Sequence, residues 1–303
     1  MFNTQPWRWR IDGDTAELRA DPARQVLSTD PEGQLLLLSC GAALHHARVA
    51  AAAAGQTLAV TLVPDAGDPL LLARLAVSAQ VAPDPATLAM AAAIDTRRTD
   101  RRAFGDRTVP VELLTTLRLA VEQEGAYLHV VGPDQVLMLA SATSRAADSQ
   151  REDPAYRNDL DVWTHRPTAD RDGVPASTTV RPGARTVPVR DFAADGDVLA
   201  PGTGHDQGAS YVVLYGTDNQ PANRLRGGEA LSALLLTAAA AGLSMEPMSD
   251  VVEAEWPHQL LRELIAGLGE PYLVVRLGYY DGDEELPAVP RRDPADVIEV
   301  VQA

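Results

Sequence analysis

The sequence predicts an α+β fold built from two related halves, and three observations lead to this prediction. Short apolar strands alternate with helices along most of the 303 residues. One alanine-rich helix occurs twice, first over Gly41–Gly55 and again over Gly228–Gly242. The stretch from 151 to 205 has few aliphatic side chains and no sustained period, which is typical of a functional lid or a linker.

The repeated helix indicates an internal duplication. Each copy begins with Gly-x-Ala-Leu, continues into an alanine run and closes on a glycine 14 residues after the first. Alanine and leucine favour helix, and a helix apolar on nearly all sides belongs inside a fold. The closing Gly55 and Gly242 stand where a left-handed C-cap is expected. Two unrelated core helices in an alanine-rich protein remain the alternative.

The remaining elements follow from local pattern. Asp12-Gly13-Asp14 predicts a hairpin between a first strand up to Ile11 and a second over Thr15–Ala20. Further strands are predicted at Thr57–Val63, Leu71–Ala79, Tyr127–Val131, Tyr211–Tyr215 and Tyr272–Tyr279. Further helices are predicted within Pro83–Ile94, Val109–Glu124, Asp134–Ser149 and Pro257–Gly267, and an extended tail over Pro287–Ala303.

Composition excludes several classes of partner. A net charge of −16 disfavours nucleic acid and anionic membranes. We find no apolar run that approaches the about 20 residues of a membrane-spanning helix, and no signal peptide, so a cytoplasmic protein is expected. The single Cys40 excludes an internal disulfide framework, and we expect it to be a buried apolar filler.

The common catalytic motifs are missing from the sequence. His45 and His46 are adjacent and point about 100° apart on a helix, so we expect a solvated helix face and no metal site. The chain has no Gly-x-Ser-x-Gly elbow, no phosphate-binding P-loop and no Gly-x-Gly-x-x-Gly between a strand and a helix.

Arginine clusters are the remaining candidates for a site. Arg97, Arg98, Thr99 and Arg101 lie together ahead of a helix in a very acidic chain. Guanidinium groups match phosphate oxygens bidentately, so the cluster predicts an anion site, with a solvated run of charge as the alternative. Arg291 and Arg292 near the end form a second, weaker candidate.

Several of these motifs, in this order, resemble the nitroreductase superfamily. The chain is most similar to its Acg-type branch, the FMN-binding oxidoreductases of mycobacteria and other actinobacteria. The motifs are Asn-x-Gln-Pro-Trp at 3–7, Arg-Arg-Thr-x-Arg at 97–101, Gly-Glu-Ala-Leu at 228–231, Val-Arg-Leu-Gly-Tyr at 275–279 and the closing Pro-Arg-Arg at 290–292. The resemblance implies a nitroreductase-like fold in which two halves in one chain correspond to a fused nitroreductase dimer.

The resemblance also implies site residues for FMN. Arg97, Arg98, Thr99 and Arg101 match the phosphate-binding motif of the family. Asn3 and Gln5 match polar side chains that approach the flavin from the other half. The segment Ser244, Met245, Glu246 and Pro247 matches a loop beside the reactive edge of the ring, and Arg292, together with Arg291, matches a C-terminal phosphate site. No catalytic acid is identified, and the 151–205 segment resembles the family's lid.

The chain departs from the family pattern in two places. The family has an N-terminal helix and a Pro-Ser-x-His before the asparagine, whereas this sequence begins at Met1-Phe2, so either Met1 is not the true start or this member lacks the first helix. Asp293 follows the arginines where the family places a proline, which is expected to weaken a phosphate contact.

The sequence thus predicts an N-terminal half over 1–95 and a C-terminal half over 96–303 that includes the lid. Only the second half carries the arginine motif, so one FMN per chain is expected. The predicted activity is electron transfer from NADH or NADPH to a small-molecule acceptor, and the alternative is a flavin store with little turnover. The protein is expected to be a monomer with an internal pseudo-dimer or a homodimer.

Overall fold

Two β-sheets, each with one long helix packed against it, form the protein, and the two helices pack against each other. The computed structural model describes residues 2–181, 183–192 and 198–301. The predicted α+β class is confirmed. The core is divided accordingly, with one apolar cluster around the first sheet and two around the second.

The first sheet has the strand order β3-β4-β2-β1-β9. Its bounds are β1 Trp7–Asp12, β2 Thr15–Ala20, β3 Gln56–Leu62, β4 Leu71–Gln80 and β9 Ile298–Val300. The predicted hairpin is confirmed, since β1 and β2 pair antiparallel across a turn in which Gly13 has a φ of 55°. The tail is not extended throughout as predicted, because a short helix forms at Pro294–Val297. After it, β9 pairs parallel with β1 and joins the C-terminal segment to the first sheet.

The second sheet has the order β5-β6-β8-β7 and is antiparallel throughout. Its strands are β5 Tyr127–Val130, β6 Ser210–Gly216, β7 Ser244–Met248 and β8 Glu270–Gly278. All nine residues of β8 are buried, as expected for a central strand covered on both faces. The prediction of a loop at Ser244–Pro247 is wrong. This segment pairs with β8, although Pro247 interrupts the usual strand signal.

Nine helices connect these strands in the part of the chain that is described. They are α1 Gln34–Ala53, α2 Pro85–Thr96, α3 Val111–Gln123, α4 Val136–Glu152, α5 Pro154–Thr164, α6 Pro221–Ala240, α7 Asp250–Glu253, α8 Glu255–Leu264 and α9 Pro294–Val297. The repeated helices α1 and α6 start earlier than the repeat itself indicated. Both are followed by a left-handed glycine, Gly55 at a φ of 80° and Gly242 at 76°, as predicted.

The expectation that no segment has the length and apolar character of a membrane-spanning helix is wrong for α1. It is 20 residues long with a mean hydropathy of 1.4 over its most apolar window, which is long and apolar enough to cross a membrane. In the structure it packs along α6 and against the first sheet. Cys40 on this helix is fully buried, as predicted.

The segment from 151 to 205 is more ordered than its composition predicted. It contains α5, 3-10 turns at Thr168–Asp170 and Ala176–Thr178, and one isolated bridge between Val180 and Leu199. Pro182 and residues 193–197, which the lid prediction includes, lie outside the described residues. Side chains of this segment form an apolar cluster with the N-terminal segment, comprising Phe2, Val26, Tyr156, Leu160, Trp163, Val174 and Phe192.

Candidate functional site

Four arginines that the sequence singled out lie on segments that converge on one region. Arg97, Arg98 and Arg101 follow α2, and Arg291 comes from the C-terminal segment. Among the described residues, no carboxylate forms an ion pair with any of these four guanidinium groups. Burial and the positive charges of Arg291 and Arg98 lower the pKa of Arg97 to about 10. In a chain with a net charge of −16, such mutually repelling cations are suited to an anionic ligand.

The local fold determines where each of these side chains points. Arg97 terminates α2, where its backbone N–H donates to the Ala93 carbonyl oxygen at 2.8 Å. Arg98 Nη1 donates to the carbonyl oxygens of Asp95 and Arg97 at 2.7 and 2.9 Å, while its buried Nε has no hydrogen-bond partner in the described part of the chain. The Arg98 side chain therefore stabilises the backbone through Nη1, and its Nε–H remains available as a donor.

Arg101 connects the arginine cluster to the 151–205 segment. Its Nη1 donates to the Thr178 carbonyl oxygen at 2.7 Å, and its guanidinium lies 4.5 Å from the centre of the Phe192 ring. Burial is the main cause that lowers the pKa of Arg101 to about 10. The cation is thus enclosed between the arginine motif at 97–101 and the segment from 151 to 205.

Asp100 fixes the arginine motif onto the second sheet. Its carboxylate accepts hydrogen bonds from Arg102 Nη2 at 2.9 Å and from Ser244 Oγ at 3.1 Å. Its backbone N–H donates to the Met245 carbonyl oxygen at 2.8 Å. Ser244 and the buried Met245 therefore hold the motif in place, and neither lines the two cavities described below.

The N-terminal and C-terminal segments meet beside the arginines. Asn3 Nδ2 donates to the Pro290 carbonyl oxygen at 3.0 Å, and Arg291 Nη1 donates to Asn3 Oδ1 at 3.4 Å. Gln5 Oε1 accepts from the Arg292 N–H at 2.9 Å, and Gln5 Nε2 donates to the Arg171 carbonyl oxygen at 3.1 Å. Asn3 and Gln5 have left-handed φ angles of 53° and 49°, so their backbone is strained to make these contacts.

Two cavities meet at this junction. The larger, about 870 Å³, lies between the first sheet, α1 and α6 and has mainly apolar walls that include Trp7, Trp9 and Leu235. The smaller, about 190 Å³, lies beneath the 151–205 segment. Both are lined by Asn3, Arg97, Thr99, Pro247 and Arg291.

The structure therefore separates the predicted residues into groups. Asn3, Arg97, Thr99 and Arg291 line both cavities, Arg101 and Glu246 line the smaller one, and Gln5 lines the larger one. Arg98, Ser244, Met245 and Arg292 line neither. The Arg292 side chain instead reaches the carbonyl oxygens of Gln5 and Asp296 at 3.3 Å.

Several residues of the smaller cavity were not identified from the sequence. The 151–205 segment contributes Gly173, Val174, Pro175, Thr178, Arg190 and Phe192, and the start of α7 contributes Ser249 and Asp250. Arg190 Nη2 donates to Glu253 Oε2 at 2.6 Å, which joins the segment to α7. The sequence around 173–175 and 190–192 resembles the family's lid, which did not assign these residues to the flavin site, and Thr178, Ser249 and Asp250 had no local signal.

The expectation of a solvated face at His45 and His46 is wrong. His45 is buried, its Nδ1 lies 2.8 Å from Ser232 Oγ, and burial lowers its pKa to about 4. His46 lines the larger cavity, and burial together with the charge of Arg97 lowers its pKa to about 4. The described residues contain no group of histidine, cysteine or acidic side chains that could hold a metal ion.

Comparison with known proteins places these features in a family. No protein-family model matches the chain. The chain is 36% identical over 307 residues to "Putative NAD(P)H nitroreductase Rv3131" of Mycobacterium tuberculosis, covering 99% of this chain and 87% of that protein. It is 34% identical over 306 residues to "Putative NAD(P)H nitroreductase acg" of the same organism, covering 100% and 92% respectively.

Solved structures give more distant likenesses. A nitroreductase with bound FMN from Desulfitobacterium hafniense is 14% identical, with a TM-score of 0.43 over 71% of this chain and 98% of that one. A nitroreductase with bound FMN from Bacteroides fragilis is 15% identical, with a TM-score of 0.43 over 70% and 98%. The identities to the two mycobacterial proteins extend over essentially the whole chain, and the chain therefore belongs to the Acg-type family of nitroreductases.

Proposed function

We propose that this protein binds FMN and catalyses electron transfer from NADH or NADPH to a small-molecule acceptor. The observation that carries the proposal is a set of arginines where two cavities meet that form no ion pair with a carboxylate of the described residues, in a chain of net charge −16. The names of the mycobacterial relatives and the FMN in similar solved structures support the same cofactor and donor.

The residues present fit the phosphate of FMN. Arg97 and Arg291 line the junction of the cavities beside the Thr99 hydroxyl, and Arg98 holds a buried, unpartnered Nε next to them. Charge-assisted hydrogen bonds to phosphate are among the strongest in proteins, and a phosphate dianion would relieve the repulsion between these arginines. These residues would therefore hold the phosphate.

The smaller cavity fits one end of the flat ring system. Phe192, Val174 and Pro247 supply apolar walls, while Arg101 and Asn3 supply polar groups. When bound, FMN would supply the capacity to accept a hydride from a nicotinamide and to pass the electrons on. Arg101 would favour the reduced, anionic ring, because a cation nearby stabilises negative charge.

We further propose that the chain corresponds to a fused nitroreductase dimer with one flavin site, with halves near 1–95 and 96–303. The repeated helices α1 and α6 pack on each other, and Asn3 from the first half meets Arg97 and Arg291 at the same cavities. Arg97, Thr99 and Arg101 come from a single motif, which supports one FMN per chain.

A flavin store with little turnover is the second candidate, and one observation favours it. The 151–205 segment covers the smaller cavity through Phe192, Arg190 and Pro175, and its Arg190 is ion-paired to Glu253 of α7. A segment held in this way would act as a lid that restricts access of donor and acceptor.

The test of the proposal is a titration of the purified chain with FMN, followed by absorbance and by calorimetry. We expect saturation at one FMN per chain and much weaker binding of riboflavin, which lacks the phosphate. Two flavins per chain, or equal affinity for riboflavin and FMN, would contradict the proposed site.

Anaerobic mixing of the loaded protein with NADPH or NADH separates the two candidates. An efficient oxidoreductase should be reduced rapidly by a nicotinamide, and an oxidoreductase limited by its lid should be reduced slowly; both should then be reoxidised by a nitroaromatic or quinone acceptor. A store should resist nicotinamides, and a variant lacking the middle of the lid, about Thr164 to Val189, should release flavin faster. We expect slow reduction by nicotinamides in the intact chain because the lid covers the cavity. Fast, saturable NADPH oxidation with a simple nitroaromatic acceptor would contradict this expectation.

A further inference from the structure

Three acidic side chains lie at or near the smaller cavity, and two of them have a cationic partner among the described residues. Glu253 Oε2 accepts from Arg190 Nη2 at 2.6 Å and from Gln150 Nε2 at 2.6 Å. Glu246 Oε2 lies 2.9 Å from Arg276 Nη2. No ion pair to Asp250 forms among the described residues, although Asp250 lines the cavity and is only 2% exposed.

The surroundings of Asp250 favour a carboxyl group that carries a proton. Its charged form loses hydration on burial, which is the largest single effect on this group. The charged and titratable groups that face it are Arg190 from the 151–205 segment, Glu253 on its own helix, Glu246 from β7 and Tyr156 from α5. Arg190 is already paired with Glu253, so its charge only partly compensates.

The balance of these effects raises the pKa of Asp250 to about 6, with burial as the main cause and the negative charges of Glu253 and Glu246 adding to it. Burial also raises the pKa of Tyr156, so this hydroxyl does not compete as a proton donor near neutral pH. Asp250 is therefore an acid that faces this cavity and can exchange a proton at ordinary pH.

We propose that Asp250 is the proton donor of the smaller cavity and delivers the proton that completes reduction of the acceptor. The inference rests on the proposed function. When a nicotinamide reduces a two-electron acceptor such as a quinone, the donor supplies one hydride, meaning two electrons and one proton. The dihydro product needs one further proton, which solvent must supply.

A covered cavity restricts water, so the second proton has to pass through a side chain. Protonated Asp250 would give its proton to the acceptor oxygen as the O–H bond forms, and it would be left as a carboxylate beside Arg190. A proton from solvent would then restore the acid when the cavity opens. The overall reaction consumes one nicotinamide, one proton and one acceptor, and forms the oxidised nicotinamide and the dihydro product.

The first experiment measures the proton on Asp250 without flavin or turnover. Urea unfolding midpoints of the wild-type chain and of Asp250→Asn are compared from pH 4 to pH 7. Because the raised pKa makes the folded state bind the proton more tightly, the contribution of Asp250 to stability should decrease as the pH rises from about 4 to 6. The unfolding free energy of the wild type relative to that of Asp250→Asn should therefore decrease over this interval. The exposed Asp148→Asn serves as the matched control and should follow the wild type. A difference between wild type and Asp250→Asn that is constant with pH would overturn the proposal.

The second experiment measures the steady-state rate of the FMN-loaded protein with NADPH and a quinone over the same range. General acid catalysis by a positioned side chain contributes roughly 10²–10⁴-fold, so Asp250→Asn should lower kcat by about 100-fold at pH 6 and flatten its pH profile. Asp250→Glu should restore part of the rate. FMN affinity, measured separately, should change by less than about 3-fold.

The outcomes separate the role of Asp250 as a proton donor from the proposed oxidoreductase function. Wild-type turnover with an unchanged rate and pH profile in Asp250→Asn would overturn the donor role and leave the proposed function standing. No wild-type turnover with any nicotinamide would overturn the proposed enzymatic function and the donor role together. Loss of rate accompanied by an equal loss of FMN affinity would assign Asp250 to flavin binding and overturn its role as an acid.

Discussion

Gly41 of α1 and Gly228 of α6 face each other where the two helices cross. A Cβ atom added to Gly41 would lie 2.1 Å from the Leu225 carbonyl oxygen and 2.9 Å from Gly228 Cα. A Cβ added to Gly228 would lie 2.1 Å from the Leu38 carbonyl oxygen and 2.7 Å from Gly41 Cα. The first glycine of each repeated helix therefore contacts the first glycine of the other, and only glycine lets the backbones approach this closely.

The first prediction follows from this contact. Gly228→Ala should destabilise the fold by about 3 kcal/mol or more, because the new methyl group must displace backbone atoms of α1. Urea unfolding monitored by circular dichroism would measure the change. Gly183→Ala is the control, since a Cβ there meets nothing within 4 Å, and its midpoint should match that of the wild type. Unchanged stability in Gly228→Ala would show that the helices do not cross at these residues.

The second prediction concerns the proposed phosphate site. Arg97→Ala should weaken FMN binding by about 1.5–3 kcal/mol, the range expected for hydrogen bonds to a charged group. Arg98→Ala should have a similar effect, through its buried Nε and its support of the backbone. Riboflavin should bind these variants and the parent equally weakly. Arg118→Ala on α3 is the matched control. If both cluster variants retained full FMN affinity, the arginines would be a solvated charge run.

A third prediction separates a buried ion pair from a surface one. Arg190→Met leaves Glu253 buried without its cation and should cost about 3–5 kcal/mol, whereas replacing Glu253 by Gln in the same variant should recover much of the loss. Arg151→Met removes an exposed pair with Asp148 and should change stability by less than about 1 kcal/mol. Hydrogen exchange in the 151–205 segment should rise in Arg190→Met alone. Equal effects of the two arginine variants would contradict the role of Arg190 as an anchor.

The fourth prediction is a pH dependence that originates at His45. Its pKa is lowered from 6.5 to about 4 in the folded chain, so the unfolded chain takes up the proton first as the pH falls. Stability from this residue is fully present above pH 6.5 and is lost as the pH falls toward 4, by up to about 3 kcal/mol. Urea unfolding of His45→Gln should show a correspondingly smaller loss of stability than the wild type as the pH falls from 6.5 to 4.5. An identical loss in both proteins would exclude His45 as its origin.

A fifth prediction uses Cys40 as a probe of the core. The thiol is fully buried, and burial raises its pKa, so a thiol reagent should not label the native protein within hours. Labelling in urea should be complete at one equivalent per chain, which provides the control. Rapid labelling under native conditions would mean that α1 separates readily from the first sheet.

Much of the fold could be predicted because it depends on local properties. The Asp12-Gly13 turn, the closing Gly55 and Gly242 and the burial of Cys40 each follow from backbone freedom or side-chain polarity. Helix α5 also had local signals that the composition of its surroundings obscured. The Asp153 side chain accepts the Ala155 N–H, and Pro154 occupies the first helical position.

The sequence by itself determined the family, most strand and helix positions and the arginine cluster, because these depend on residue types at fixed spacing. Only the tertiary structure decided what each polar side chain contacts. Arg98 donates hydrogen bonds to its own backbone, Ser244 binds Asp100, and Asp250 lines the cavity without an ion pair to any described residue. The physical reason is that the charge state and contacts of a buried polar group depend on partners that are distant in the chain, as Arg190 and Glu253 illustrate.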